Sequence, residues 1–157
     1  MIIGKKRKTL DVMHVAGFRG NIGDNANHSG MRKMLSQFIG YDFHYNEVEI
    51  RDFYIMRKKR KFDESFVREA NHHDFLLFGG GNFFEPWVTE SATGTTIDIN
   101  RETLEQIRVP IVFFGLGFDP YKGAPTRNLI RFRQFLVLLS KSKKCPLSVR
   151  NDGSIKN

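Results

Sequence analysis

A chain of 157 residues has the length of one ordinary domain and can bury about 70 % of its unfolded surface. Hydrophobic content of 40 %, charged content of 27 % and a mean hydropathy of −0.39 exclude disorder as the default state. The longest apolar run, 135–139, is far short of the ~18 residues a membrane span needs. The N-terminal MIIGKKRKTL has cations with no apolar stretch behind them, so no secretory signal is expected. The single cysteine, Cys145, forms no intrachain disulfide or cysteine-based zinc cage, which points to a reducing cytoplasm. A net charge of +8 favours anionic ligands or surfaces. Two basic clusters, Lys5-Lys6-Arg7-Lys8 and Arg57-Lys58-Lys59-Arg60-Lys61, read as solvated loops or as a docking patch for an anionic membrane face. The remaining cations read as dispersed among acids.

Leu10 to Ala16 is apolar and stopped by Gly17, which predicts a strand; the glycine- and asparagine-rich stretch behind it reads as a loop. Met31, Met34, Leu35, Phe38 and Ile39 recur at helical spacing from about Ala26, and Gly40 supplies the stop. Phe43 to Ile50 alternates apolar and polar residues as a half-buried strand does, with Glu47 and Glu49 facing solvent or an edge. Asp63 or Ser65 caps a short helix ending at Ala70, and Asp74 to Phe78 forms a strand covered on both faces. Asn100 caps a helix over Arg101 to Arg108, and Ile111 to Phe114 is a second continuously apolar strand. A helix from about Thr126 to Ser142 and a strand over Pro146 to Val149 close the series. Strands alternating with helices predict an α/β fold: one Rossmann-like, doubly wound parallel sheet of about five strands over residues 1–157.

In open parallel sheets ligands bind beyond the carboxyl ends of the strands. Three strand ends here are glycine-rich: Gly17, Gly20, Asn21, Gly23 and Asp24 with Arg19 among them; Gly79, Gly80, Gly81 and Asn82; and Gly115 and Gly117. Glycine at such turns lets backbone N–H groups approach a phosphate or sugar, although each pair alone also fits tight strand-to-helix packing. The first loop has neither the G-x-G-x-x-G spacing nor a Walker A lysine, which counts against dinucleotide and P-loop chemistry.

Four motifs in order carry a resemblance: Asn21-Ile22-Gly23-Asp24; Asp74 to Phe83 through the glycine triplet, with Trp87 shortly after; Phe114-Gly115-Leu116-Gly117; and Leu147-Ser148-Val149-Arg150-Asn151-Asp152-Gly153-Ser154. Together they resemble the polysaccharide pyruvyl transferase family, its exopolysaccharide members in particular. In the last motif the acidic residue stands one position later than the family's usual Arg-Asp.

The resemblance implies the N-terminal domain of a glycosyltransferase-B-like fold and transfer of pyruvate from phosphoenolpyruvate to sugar hydroxyls as a ketal. It further implies a saccharide or lipid-diphosphate-linked saccharide acceptor at the cytoplasmic membrane face, and a second domain, beyond this chain, that holds most phosphoenolpyruvate ligands. Without that domain the chain alone is expected to be incomplete for catalysis. Phosphoenolpyruvate is the donor substrate and no cofactor is expected.

Ketal transfer needs cations for the donor's carboxylate and phosphate, an acid for its methylene carbon and a base for the sugar hydroxyl. Asp24 is the catalytic candidate, or else a helix N-cap; Arg19 and Arg150 are anion partners; Asn21 and Asn82 hold loop geometry or bind hydroxyls. Trp87, Phe83 and Phe84 stack on a sugar or plug the core. His14 reads as a core histidine and His72-His73 as structural, with no metal proposed; Cys145 has no evident activating base. The rival readings are a glycosyltransferase-B-like nucleotide-sugar enzyme and a non-catalytic basic module on an anionic polymer or membrane. Nucleic acid is not expected as a partner, since no RNP-type interleaving of basic and aromatic residues is present.

Overall fold

The computed structural model describes residues 7–19, 22–54, 57, 59–88 and 90–150. Gly20 and Asn21 of the first loop, and Asn151, Asp152, Gly153 and Ser154 of the last motif, lie outside the described residues. The elements are β1 (Thr9–Ala16), α1 (Ile22–Ile39), β2 (Asp42–Glu49), a 3-10 turn (Ile50–Phe53), α2 (Glu64–Ala70), β3 (Phe75–Gly79), α3 (Arg101–Gln106), β4 (Ile111–Leu116), α4 (Thr126–Ser140) and β5 (Leu147–Val149).

All five strands pair in parallel in the order β2-β1-β3-β4-β5. The chain moves one way from β1 to β2 and the other way through β3, β4 and β5. Right-handed crossovers therefore put α1 on one face and the later helices on the other. The two cores agree with this. Met31 and Leu35 of α1 pack with Val12, Leu77, Phe43, Phe75 and Phe114. On the opposite face Phe66 and Val67 of α2, Leu104 of α3, and Phe135 and Leu139 of α4 pack with Met13, Val15, Leu76, Phe78 and Phe113. The two sets alternate along β1 and β3, as period-two side chains must. Phe78 and Phe113 stack with centroids 5.1 Å apart, and Phe135 meets Phe113 edge-on at 5.9 Å.

Local chemistry sets the helix starts. Asp63, not Ser65, caps α2: its Oδ1 accepts from the N–H of Ser65 at 3.0 Å and of Phe66 at 3.3 Å. The Ser65 hydroxyl and these two amides hold the Asp63 carboxyl below its ordinary range. Asn100 caps α3 through Thr103 N–H at 2.8 Å. α1 begins four residues before the expected start, because the first loop is shorter than its composition implies and Gly23 and Asp24 belong to the helix's first turn. α3 ends at Gln106, two residues early.

Glu49 is not at a solvent edge but buried at the carboxyl end of β2. Glu47 is half-exposed and paired with Arg32 at 2.8 Å. No helix among the described residues is long and apolar enough to cross a membrane.

Candidate functional site

The strand order reverses between β1 and β3, so the crevice above their carboxyl ends is where this architecture offers a ligand site. The loop after β1 approaches it first. There the backbone N–H groups of Phe18 and Arg19 donate to Glu49 Oε2, at 3.0 and 2.8 Å. Glu49 Oε1 accepts from the Arg51 N–H at 3.1 Å and faces the Arg51 guanidinium at 3.4 Å. A carboxylate of the chain itself thus occupies donors of the kind that a phosphate takes in other glycine-rich loops.

Arg51 carries the network onward. Its Nη1 donates to the Arg19 carbonyl at 2.7 Å and its Nη2 to Asp24 Oδ2 at 2.8 Å. Gly17 lies against this guanidinium, and a Cβ there would sit 2.9 Å from Nη1. Asp24 is nearly buried and is the third residue of α1 rather than its cap, where its charge also suits the helix N-terminus. Arg19 turns outward: its side chain is 62 % exposed and bonds Asp52 at 2.7 Å.

The loops after β3 and β4 are joined directly. Gly117 N–H donates to the Gly81 carbonyl, and Phe84 N–H donates to the Gly117 carbonyl, both at 3.1 Å. Phe84 and Phe118 extend the pairing as a parallel bridge. Gly80 has φ +84°, and a Cβ there would lie 2.8 Å from His28 Cα of α1, so both conformation and space demand glycine. At Gly117 a Cβ would meet Asn82 Oδ1 at 1.9 Å. Gly79 is buried against the Phe114 carbonyl, and Gly81 against the Phe83 ring. Gly115, at φ +60°, lies where the β4–β5 register slips, and its N–H donates to Ser148 Oγ at 3.0 Å.

These loops bound a cleft of about 430 Å³, a volume in the small-ligand range. Asp24 and Asn82 line it, together with Arg51, Tyr54, Arg57, Phe83, Glu85, Trp87, Asp119 and Lys122. Three carboxylates thus face three cations. Glu85 is buried, and its Oε1 accepts from Lys122 Nζ at 2.6 Å. That bond holds the Lys122 ammonium above its ordinary range. Lys122 Nζ also lies 5.8 Å from the Trp87 ring centre. Burial, reinforced by the Glu85 charge, pushes the Tyr54 phenol up to about 12, so it stays protonated. The indole N–H of Trp87 is buried with no hydrogen-bond partner among the described residues.

α4 fixes the wall of the cleft. Asn128 Nδ2 donates to the carbonyls of Pro86 and Val88, at 2.7 and 2.5 Å, on either side of Trp87. Phe83 and Phe84 are buried and serve as plugs beneath the loop, whereas Trp87 stays half-exposed.

Of the anticipated site residues, the structure brings Asp24 and Asn82 into one cleft and packs Gly17 against Arg51, Gly79 against β4, Gly80 against α1, Gly81 against Phe83 and Gly117 against Asn82. Gly23 lies within the first turn of α1. Gly115 and Arg150 line a separate groove beside Ala26, Gly30 and Met34 of α1. Sequence reading missed Glu49, Arg51, Tyr54, Glu85, Asp119 and Lys122. Position at the end of β2 was the available signal for Glu49 and Arg51; nothing in their spacing marked the others.

His14 is fully buried. Its Nε2–H donates to the Gly79 carbonyl at 3.2 Å, and its Nδ1 accepts from Arg32 Nε and Nη2, at 3.1 and 2.8 Å. Burial first, then the Arg32 charge, lowers it to about 3. His72 and His73 donate to the carbonyls of Arg68 and Glu69 one turn back.

Comparison with family models, curated proteins and solved structures returned no match to this chain.

Proposed function

We propose that this chain is the N-terminal half of a polysaccharide pyruvyl transferase and that the cleft above β1 and β3 holds its saccharide acceptor. The observation that carries the reading is the composition of that cleft. Carboxylates, an amide, a phenol and an indole exchange hydrogen bonds with hydroxyls and stack on a pyranose face, while three acids offset three cations. A polyphosphate asks instead for a dense set of unpaired donors, and Glu49 fills those of the β1 loop. This favours a sugar over the nucleotide of a sugar-nucleotide enzyme. The resemblance of the four ordered motifs supplies the reaction class.

In that reaction two sugar hydroxyl oxygens give up their protons and bond to C2 of phosphoenolpyruvate as its bond to the phosphate oxygen breaks. One proton adds to the methylene carbon to make a methyl group and the other leaves with the inorganic phosphate. Asp24, held by Arg51, accepts from an acceptor hydroxyl, Asn82 orients its neighbour, and Trp87 stacks on the ring. Arg57 and Lys122 face the acceptor's anionic substituents. The donor is held by the second domain that the resemblance implies.

An amide-resolved NMR titration tests this. A lipid-free saccharide diphosphate is expected to give saturable shifts at Asp24, Asn82 and Trp87, and phosphoenolpyruvate alone none. Asp24→Asn and Asn82→Ala are each expected to weaken saccharide binding by roughly tenfold, about 1.4 kcal/mol. Unchanged affinity in both variants by calorimetry, or saturation by phosphoenolpyruvate at these amides, overturns the assignment.

A further inference from the structure

Residues 120–150 contain eight Lys and Arg and no Asp or Glu, which leaves 17 of the 25 cations to balance all 17 acids elsewhere. Half of the sixteen cations outside the two short clusters therefore lie in one acid-free stretch, while the other half are dispersed among acids as expected. One contiguous stretch carries a charge equal to the protein's whole net charge.

In the fold this stretch is α4, the connections on either side of it, and the edge strand β5. α4 turns Asn128, Phe135 and Leu139 inward. Its outer face shows Arg127, Ile130, Arg133, Val137 and, just past its end, Lys141, at the three- and four-residue steps of one helix face. Ile130 is 54 % and Val137 45 % exposed. Arg127, Arg133, Lys141, Lys143 and Lys144 are exposed, and none of them forms an ion pair among the described residues. In the 57–61 cluster, by contrast, Lys59 faces Asp52 and Arg60 pairs with Glu69.

We propose that the outer face of α4, with Lys143 and Lys144, docks on an anionic lipid bilayer. Charge complementarity and the interleaved apolar side chains select this occupant. Cations without acids are drawn to anionic headgroups, and Ile130 and Val137 enter the acyl boundary between them. A second copy of the face is repelled by its like charges. A nucleic acid matches the charge but leaves Ile130 and Val137 without a use, and α4's outer face offers it no aromatic platform. Tyr121, 95 % exposed, directly precedes the cleft residue Lys122 in the chain. The proposal does not rest on pyruvyl transfer.

Sedimentation of the full chain with phosphatidylglycerol/phosphatidylcholine vesicles, against pure phosphatidylcholine vesicles, reads it without sugar or phosphoenolpyruvate present. Binding to the anionic vesicles alone is expected, weakening with salt. The triple variant Arg127→Gln/Arg133→Gln/Lys141→Gln should lose roughly a hundredfold, about fivefold per cation. Ile130→Ser/Val137→Ser should lose roughly tenfold, and Lys59→Gln/Lys61→Gln should bind as the parent does. All substituted side chains but Lys59, which faces Asp52, are exposed and outside the ion pairs above, so the variants are expected to fold, as circular dichroism checks. Equal binding to neutral vesicles, retention in the triple variant, or loss through Lys59 and Lys61 overturns the proposal. So does tighter binding to an oligonucleotide that ignores the Ile130 and Val137 changes.

Discussion

Acid is expected to destabilise this fold well above the pH at which carboxylates protonate, and His14 is the reason. In the folded state its Nδ1 accepts from the Arg32 guanidinium, so a proton there would set N–H against N–H in a fully buried place. Its folded value, about 3, lies below the ordinary 6.5 of the unfolded chain. The unfolded chain therefore takes up the proton first. The stabilisation is fully present above about pH 6.5 and is lost as pH falls towards 3. At about pH 5 the folded histidine is still neutral, so the loss is set by unfolded-state protonation alone, about 2 kcal/mol for this one group. His28, lowered by burial and by Arg32, adds in the same direction. Urea unfolding followed by Trp87 fluorescence, at about pH 7.5 and about pH 5, measures the difference. In His14→Gln the slope with pH should shrink to the smaller His28 part, whatever the variant's stability at neutral pH. A parent protein equally stable at the two values, or a variant that loses as much as the parent, refutes the reasoning.

Three further outcomes follow from the loop geometry. Glu49→Ala removes the carboxylate that accepts from three backbone N–H groups and leaves the largely buried Arg51 short of a partner, so a cost of about 3 kcal/mol in urea unfolding is expected; a cost below about 1 kcal/mol would mean that the β1 loop stands without it. Gly117→Ala should cost about 2 kcal/mol through its clash with Asn82 Oδ1, and in an Asn82→Ala background at least half of that cost should vanish; strictly additive values would show that Asn82 is not the obstacle. Gly80→Ala meets the backbone of His28 and a positive φ together, so about 3 kcal/mol is expected, with no relief from His28→Ala because Cα and N remain.

The fold was legible because each element carried its own local signal. The continuously apolar strands β3 and β4, stopped by glycine, announced a sheet covered on both faces, and Asn100 marked its helix start as read. The start of α1 was misread because glycine and asparagine, taken as loop formers, are tolerated in a first turn when Asp24 is fixed there by Arg51. The glycines were legible as special positions, but their use was not. Close approach to a ligand and close approach to another part of the chain ask for the same residue, and only the distances from Gly80 to His28 and from Gly117 to Asn82 tell the two apart.

Glu49 shows the same limit from the other side. A polar residue in an alternating strand reads as solvent-facing, and at Glu47 that reading holds in part. At Glu49 the strand ends, the neighbouring loop supplies unpaired N–H groups, and a carboxylate two residues along the same face turns inward to meet them. The alternation rule describes side chains that choose between core and water. It carries no term for a third choice, the backbone donors at the end of the next strand. In a parallel sheet those donors gather at the carboxyl edge, where ligands bind, so charged residues at strand ends are where sequence reading and site geometry most easily part company.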